Sequence, residues 1–426
     1  MTDTAPRRPE IPAGHAAAGH WHRYRIALCA MLFLATAINY MDRQILGLLA
    51  PMLQRDIHWS QLQYSRVVMA FSTAYAIGLL LAGRLIDRYG IRLCYGTAMF
   101  GWSIAAMLHA VVSSVGGFAV VRVLLGLGES GHFPAAIKIT GEWFPARSRA
   151  LVVGVFNSGA NIGAVIAPAA IPPLALAYGW RAAFVAVGAL GLLWLVAWTW
   201  IYRPAHPQET LSDASAAVPV PDWLALLRHR QTWAFVLGKF LTDPIWWFYL
   251  FWLPKWLFET RGLDMQRLGL PLLTIYLITM AGSVGGGWLS SFLLRRGAGA
   301  NRARKTAMLA CALCAVPVAA VSGITQLWPA VLVVGLAAAA HQGWSANLFT
   351  TVSDLFPQRM VASVTGLGGM AGSLGAVLFA EVIGRVLDRG GHYRPLFVVS
   401  GLAYLLALAA IHWLCPRMQP VQPASR

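Results

Sequence analysis

Apolar runs of about twenty residues recur along the whole of this 426-residue chain. A helix rises 1.5 Å per residue, so a run of about twenty residues can cross a hydrocarbon core of about 30 Å. Because lipid cannot hydrogen-bond a peptide backbone, such runs cross the membrane as helices. The sequence therefore predicts an all-α membrane protein with twelve transmembrane helices, at 24–48, 64–83, 93–113, 116–138, 149–172, 180–202, 231–257, 268–293, 305–323, 328–350, 360–384 and 395–415.

The composition and the placement of charge agree with a membrane protein rather than a nucleic-acid-binding one. Only 12% of residues are charged, compared with about 25% in soluble domains. The net charge is +17, yet 21 of the 33 Lys and Arg residues fall at the termini, in the loops after even-numbered spans or at the span ends that adjoin them. By the positive-inside rule both termini are cytoplasmic. We expect the lipid bilayer as a partner and no nucleic acid.

The chain contains an internal repeat of six spans. Residues 204–228 are rich in Pro, Ser and Asp and form a predicted cytoplasmic linker between an N-terminal half, 1–203, and a C-terminal half, 229–426. A shift of 212 residues places segment 142–147 on segment 354–359, and glycines 154 and 163 on glycines 366 and 375. Both copies have the same predicted orientation. Such a parallel repeat predicts a binding site between the halves near mid-membrane.

Two pairs of charged residues lie inside apolar spans of the N-terminal half: Asp42 with Arg43, and Arg122 with Glu129. Charges at this depth are costly and usually line a substrate or ion path. Neighbouring helix residues point about 100° apart, so Asp42 and Arg43 each need another partner. Arg122 and Glu129 are two turns apart on span 4, about 10 Å along the axis.

These residue types suggest a division of labour. Arginine keeps its charge and its planar fork suits a carboxylate, whereas a carboxyl group in an apolar environment can load and release a proton. Asp42 and Glu129 are therefore the proton-coupling candidates, and Arg43 and Arg122 the anion-binding candidates. The repeat places Glu129 opposite His341. The alternative is a structural charge network that locks span 1 to span 4.

Span 7 carries a second set of candidates. Lys239 and Asp243 are one turn apart and can pair with each other, or Lys239 can reach the polar end of a substrate. Pro244 predicts a bend that would let this helix act as a gate. Trp246 and Trp247 can stack against the apolar face of a sugar, or pack in the core.

Span 10 has a polar stripe that includes His341, Gln342 and Asn347. Amide side chains donate and accept at once, which suits hydroxyl recognition; the alternative is hydrogen bonding between helices. Glycines 159 and 163 and glycines 368, 369, 372 and 375 predict close helix packing. The loops contain no nucleotide-binding motif, metal-ligand cluster or nucleophile–histidine pair, so we expect neither an enzyme nor a metal site.

The loop after span 2, residues 83–92, reads Gly-Arg-Leu-Ile-Asp-Arg-Tyr-Gly-Ile-Arg. It resembles the G-x-x-x-D-R-x-G-R signature of the major facilitator superfamily, whose fold is twelve helices in two six-helix halves. The resemblance implies a gating role for Asp87 and Arg88. A carboxylate at a neighbouring helix N-terminus, with Arg pairing across helices, would hold the cytoplasmic side closed.

Three further motifs resemble the anion:cation symporter family, in its hexuronate and aldohexonate branch. They are Asn-Tyr-x-Asp-Arg at 39–43, Arg-x6-Glu at 122–129, and His-Gln-x-Trp-Ser-Ala-Asn at 341–347. The resemblance implies protonation of Asp42 and Glu129, and carboxylate binding by Arg43 and Arg122. Relatives carry Gln near position 160, where this chain has Ala160 with Asn157 and Asn161 on either side. Asn161 can substitute by turning inward. The expected substrate-binding residues are Arg43, Arg122, Tyr40, Tyr75, Asn161, Lys239, Trp246, Trp247, His341, Gln342, Trp344 and Asn347.

The sequence thus predicts a proton-coupled symporter that imports a sugar acid, a hexuronate or an aldonate, by alternating access. Protons are the coupling ion and no other cofactor is expected. The strong preference for Arg over Lys favours a bacterial protein, which we expect to be a monomer in the inner membrane. The alternative is an exchanger or symporter of another organic anion, a dicarboxylate or an organic phosphate.

Overall fold

The chain folds into helices in all the ranges that the computed structural model describes, which are residues 15–59, 61–203, 223–262, 269–388 and 392–421. The helices of the N-terminal half are α1 (His15–Leu48), α2 (Ala50–Ile57), α3 (Gln61–Tyr89), α4 (Ile91–Leu108), α5 (Val115–Glu129), α6 (His132–Trp143), α7 (Ala146–Tyr178) and α8 (Trp180–Ile201). Most of the predicted linker, 204–222, lies outside the described residues, and its end forms the short helix α9 (Trp223–Leu227).

The C-terminal half repeats this arrangement. Its helices are α10 (Arg230–Arg261), α11 (Gly269–Arg295), α12 (Ala300–Ala315), which continues as a 3₁₀ segment (Val316–Gly323), α13 (Leu327–Leu355), α14 (Gln358–Asp388) and α15 (Arg394–Leu414). The outer surface of both halves is apolar: Leu176 and Trp413, for example, are 80% and 78% exposed. Such a surface suits lipid rather than water.

Ten helices among the described residues are long and apolar enough to cross a membrane. The other two predicted spans are span 7, which is the charged and aromatic helix α10, and span 4. Span 4 was expected as one helix over 116–138, and it is present as α5 and α6, separated by a two-residue turn at Ser130 and Gly131 that keeps helical backbone angles. The Ser130 hydroxyl donates to the Leu127 carbonyl at 2.6 Å, and Gly131 offers no side chain to pack. The turn falls directly after Glu129.

The predicted repeat is visible in how the halves touch. Gly154 of α7 lies against the backbone of Ser283 in α11, and its repeat equivalent Gly366 of α14 lies against the backbone of Leu79 in α3. A side chain at either glycine would collide with the facing backbone. Likewise Gly83 meets Ala362 and Gly287 meets Ala150, and these two alanines are again 212 residues apart. The prediction that glycines permit close helix packing is confirmed.

The two halves are in contact at one end of the bundle, where α3 ends and α14 begins. We call this the gate end and define it by residues 83–87 and 358–363. Arg149 of the N-terminal half donates to the Ser353 carbonyl at 2.8 Å, and Arg304 of the C-terminal half donates to the Ala146 carbonyl at 2.8 Å. Both arginines also bind Asp354, at 3.1 and 2.9 Å. These bonds hold the halves together on this side.

Candidate substrate cavity between the two halves

A cavity lies between the halves, beyond the gate end. Residues from α1, α3, α6 and α7 line one side, and residues from α10, α13 and α14 line the other. Eight of the twelve predicted substrate-binding residues are on its wall, namely Tyr40, Arg43, Tyr75, Lys239, Trp246, Trp247, His341 and Gln342. The position of the cavity is the one that the parallel repeat predicts.

Arg43 and Glu129 form the central ion pair of the N-terminal side. Arg43 Nε donates to Glu129 Oε2 at 2.8 Å, and the Glu129 side chain is completely buried. The guanidinium carbon lies 4.4 Å from the ring centroid of Tyr75, 5.2 Å from that of Tyr40 and 5.6 Å from that of Phe71. Aromatic rings in these positions stabilise and orient a cation. Arg43 Nη2 makes no hydrogen bond within the described part of the chain, so a donor remains for an anion.

Close packing around α5 fixes the position of Glu129. Gly126 lies against the Phe71 carbonyl of α3, and Gly128 lies against the backbone of Trp102 in α4, so α5 sits unusually close to both helices. Glu129 is the last residue of α5 and therefore projects where the helix ends.

His132, the first residue of α6, secures the other side of the turn. Its Nε2 is 2.8 Å from the Thr36 hydroxyl and its Nδ1 is 2.6 Å from the Tyr95 hydroxyl. Sequence analysis missed this residue, although a histidine three positions after a buried glutamate is a usable signal. With both ring nitrogens engaged, His132 anchors the start of α6 rather than facing the cavity.

Asp42 and Arg122 lie behind the cavity wall. They are 1% and 2% exposed, and neither lines the cavity. The charges of Glu129 and Arg122 both act on Asp42, so the four predicted charges do form one group. Within the described residues, the Asp42 oxygens and Arg122 Nε and Nη2 have no hydrogen-bond partner. The expected pair of cavity arginines is therefore corrected: Arg43 is on the wall, whereas Arg122 packs over the Phe71 ring at 5.9 Å, two turns away from Glu129.

Lys239 and Asp243 provide a second ion pair, on the C-terminal side. Lys239 Nζ is 2.6 Å from Asp243 Oδ2, so the predicted pairing within one turn is confirmed. Both residues also line the cavity, and Nζ lies 4.2 Å from the ring centroid of Phe349. The helix α10 runs through Pro244 without interruption, from Arg230 to Arg261.

Aromatic and amide side chains complete the wall. Trp246 stacks on His341 with ring centroids 5.4 Å apart and an interplanar angle of 10°, and His341 Nδ1 lies 2.9 Å from the Tyr404 hydroxyl. Trp247 stacks on the Phe251 ring at 5.5 Å. Gln342 accepts a hydrogen bond from Asn157, which links α13 to α7 across the two halves. These groups offer flat faces and amides to a ligand with both apolar and hydroxyl surfaces.

Two predicted residues of span 10 face away from the cavity. Trp344 is fully buried and meets the Tyr404 ring edge-on at 5.6 Å. Asn347 donates to the Gly286 carbonyl of α11 at 2.9 Å, which is the helix-packing alternative. Helix periodicity explains the difference: His341, Gln342, Ser345 and Phe349 share the cavity face of α13.

Asn161 is also buried away from the cavity wall, with both amide atoms unpartnered among the described residues. Asn157, one turn earlier on α7, lines the cavity instead. The expectation that Asn161 turns inward is thus corrected in favour of Asn157, which sequence analysis noted only as its neighbour.

Asp87 lies where the two halves meet at the gate end. It accepts hydrogen bonds from the backbone N–H groups of Ser363 at 2.6 Å and Ala362 at 3.3 Å, near the N-terminal end of α14. Lys138 of α6 pairs with the same carboxylate at 2.8 Å. Arg88 is exposed, and its guanidinium lies 5.3 Å from the ring of Tyr89. The cation at the gate is therefore Lys138, a residue that sequence analysis missed, rather than Arg88.

The chemistry of the cavity is that of anion recognition. Its wall carries two cations, Arg43 and Lys239, each paired with a carboxylate. Across the described ranges no group of three or more His, Cys, Asp or Glu side chains could hold a metal ion.

Comparisons with known proteins agree with the fold. The family description "Major Facilitator Superfamily" matches residues 32–380. The hexuronate transporter of Escherichia coli K12 is 31% identical over 409 residues, covering 92% of this chain and 94% of that protein. A probable galactarate/D-glucarate transporter of the same strain is 27% identical over 417 residues, covering 90% and 92%.

The fold is also shared with a solved structure. The crystal structure of the Escherichia coli fucose:proton symporter superimposes with a TM-score of 0.72 at 19% identity, covering 92% of this chain and 99% of that one. The all-α fold of two six-helix halves is therefore confirmed. The matched proteins are transporters, in agreement with the prediction of a transporter rather than an enzyme. The chain belongs to the Major Facilitator Superfamily.

Proposed function

We propose that this protein is a proton-coupled symporter that imports a sugar acid, a hexuronate or an aldonate, by alternating access. The observation that carries the proposal is the Arg43–Glu129 ion pair, which places an arginine on the wall of the cavity between the halves and a protonatable carboxyl group directly on it. The hexuronate transporter of Escherichia coli, which matches nearly the whole chain, supports the substrate class.

The ion pair couples the proton to the anion. While Glu129 is ionised it occupies Arg43 Nε, and a substrate carboxylate would meet both a competitor and a like charge. Protonation of Glu129 removes that charge and frees the guanidinium for a bidentate bond to the substrate. The two ligands therefore favour each other's binding, which is the thermodynamic requirement for symport. Asp42, buried beside Glu129, is the second protonation site.

The rest of the wall recognises the sugar. The amides of Asn157 and Gln342 can exchange their mutual hydrogen bond for bonds to sugar hydroxyls. Tyr40 and Tyr75 stand beside Arg43 and add hydroxyl groups near the carboxylate end. The Trp246 ring, held flat by His341, offers a face to the carbon skeleton.

The gate end is the cytoplasmic side of a bacterial inner membrane. This follows from the positive-inside rule, which also makes both termini cytoplasmic. Asp87, with Lys138 and the start of α14, keeps this side closed while substrate enters from outside. Rocking of the halves breaks these bonds and opens the cavity inward. Both halves of the chain line the cavity, which supports the monomer as the transport unit.

Uptake by purified protein in liposomes tests the proposal. We expect labelled galacturonate or galactonate to accumulate when the outside is acidic, and to equilibrate without accumulation when the pH gradient is collapsed. Malate and glycerol phosphate serve as competitors. Exchange of malate or glycerol phosphate that ignores the pH gradient, with no sugar-acid uptake, would establish the organic-anion alternative and overturn the proposal.

A further inference from the structure

The cavity wall carries a second ion pair, which has no part in the symport mechanism proposed above. Lys239 and Asp243 lie on the wall contributed by the C-terminal half, while Arg43 lies on the wall contributed by the N-terminal half. Tyr40 stands between the two positions. Its ring is 5.2 Å from the Arg43 guanidinium, and its phenol is within the electrostatic reach of Asp243 and the hydrogen-bonding reach of Trp246. A ligand that crosses the cavity beside Tyr40 meets a cation at each end.

A purely structural role explains this pair poorly. Its side chains are only 7% and 18% exposed, and burying an ion pair gains little stability because desolvation offsets the attraction. The same one-turn spacing occurs in the Glu381–Arg385 pair of α14, which is 64% and 69% exposed and lies off the cavity. The Lys239–Asp243 pair carries the desolvation cost on the cavity wall, where a ligand can reach it.

Lys239 has the capacity to bind a further anion. An ammonium group has three donors, and one of those of Lys239 is directed at Asp243 Oδ2, 2.6 Å away. The face of Phe349, 4.2 Å from Nζ, holds the ammonium at the cavity surface, and Phe349 in turn stacks on Phe133 of the other half at 5.5 Å. Asp243 is the one carboxylate on the wall, compared with two cations.

We propose that Lys239 is a second subsite for a carboxylate, a proposal that rests on the proposed function. The cavity then favours a sugar diacid of the aldarate class over a sugar acid with one carboxylate. One carboxylate binds Arg43 and the other binds Lys239, while the hydroxyls between them face Asn157 and Gln342. Sequence identity does not decide this point, because the relatives include both a hexuronate transporter and a probable galactarate/D-glucarate transporter.

Calorimetric titration of the purified protein at one fixed pH tests the subsite, with galactarate as the diacid and galactonate and galacturonate as monoacids. One added charge-assisted hydrogen bond predicts that the wild type binds galactarate about tenfold more tightly. Lys239→Gln removes this preference, because it weakens galactarate binding about tenfold more than it weakens the binding of either monoacid. The control variant Arg385→Gln removes the positive charge from the exposed Glu381–Arg385 pair, which has the same spacing. It is expected to keep the wild-type preference for galactarate.

Lys239→Gln leaves Asp243 buried without its cation and could lose binding through misfolding alone. A second variant controls for this. The double variant Lys239→Gln, Asp243→Asn removes both charges at nearly constant shape, and is expected to bind galactarate no more tightly than it binds the two monoacids. Equal wild-type affinity for diacid and monoacids, or an equal loss for all three ligands in both variants, would overturn the subsite and leave sugar-acid transport intact. If none of the three ligands binds the wild type, the proposed function fails and the subsite with it.

Discussion

The two halves of the molecule each contribute one ion pair to the cavity, and the pairs are built differently. Arg43 and Glu129 come from different helices, α1 and α5, and Glu129 is completely buried at the end of a helix. Lys239 and Asp243 are one turn apart in a single unbroken helix, and Asp243 is 18% exposed. A pair that joins two helices changes their packing when it separates, whereas a pair within one helix can rearrange locally. The N-terminal pair is therefore suited to coupling, and the C-terminal pair to selectivity.

Removing Arg43 is the most severe way to test this contrast. Arg43→Gln eliminates the cavity cation of the N-terminal half and leaves Glu129 buried without a partner. We expect sugar-acid affinity to fall about 100-fold or more, as is typical when one member of a buried charge pair is truncated. Titration of the purified variant measures it.

A second variant separates an effect on binding from an effect on folding. The double variant Arg43→Gln, Glu129→Gln leaves no buried charge unpaired and should fold normally, still without binding. Near-normal affinity in Arg43→Gln would mean that the anion binds elsewhere, and would remove the N-terminal half from substrate recognition.

The repeated glycines allow a test of the symmetry between the halves. Gly366→Ala and Gly154→Ala each place a methyl group against the backbone of the opposite half. Overpacking of about 2 kcal/mol would disfavour closure of the gate end and slow uptake about thirtyfold in both variants. Gly101→Ala, where no atom lies within 4 Å of the added carbon, is the matched control. A large effect at one repeat position and none at the other would show that the two crossings are not equivalent.

Asp87 and Arg88 are neighbours in the loop at residues 83–92, and the structure predicts different effects when each is replaced. Asp87→Asn weakens the bonds to Lys138 and to the backbone of Ser363, so we expect initial uptake rates to fall about tenfold. Arg88→Gln removes an exposed charge that makes no bond across the halves in the described structure, and should leave the rate within about twofold. A stronger effect of Arg88→Gln than of Asp87→Asn would restore the role that sequence resemblance gave to Arg88.

The smallest expected effect concerns the amides of α7. Asn157→Ala removes one hydrogen-bonding group from the cavity wall and should weaken sugar-acid binding about fivefold. Asn161→Ala, one turn further along and off the wall, should leave affinity unchanged. The reverse order, measured in the same titration, would mean that α7 rotates between this structure and the substrate-bound one.

The global architecture was predictable from sequence because its signals are strong. Apolar length determines the spans, and the 212-residue shift that relates Gly154 to Gly366 determines the symmetry of the halves. Arg43, Glu129 and Lys239 could be identified as candidate site residues because a charged side chain inside an apolar span is costly and usually has a function.

Which individual residues face the cavity could not be predicted, because it depends on how the helices pack against one another. Whether Asn157 or Asn161 reaches the cavity depends on how α7 is rotated against α1, and the same holds for Gln342 against Trp344 on α13. The turn after Glu129 and the pairing of Lys138 with Asp87 depend on contacts between distant segments. For these features, residue type indicates the chemistry, and tertiary packing decides which residue carries it.

The central claim is that Glu129 couples the proton to the anion through Arg43, and Glu129→Gln in liposomes tests it most directly. Glutamine keeps the shape of the side chain but cannot exchange a proton. The variant should still catalyse counterflow of labelled sugar acid against unlabelled sugar acid, because Arg43 remains available, and should fail to accumulate substrate under a pH gradient alone. Accumulation by Glu129→Gln at the wild-type level, driven only by the pH gradient, would contradict the account.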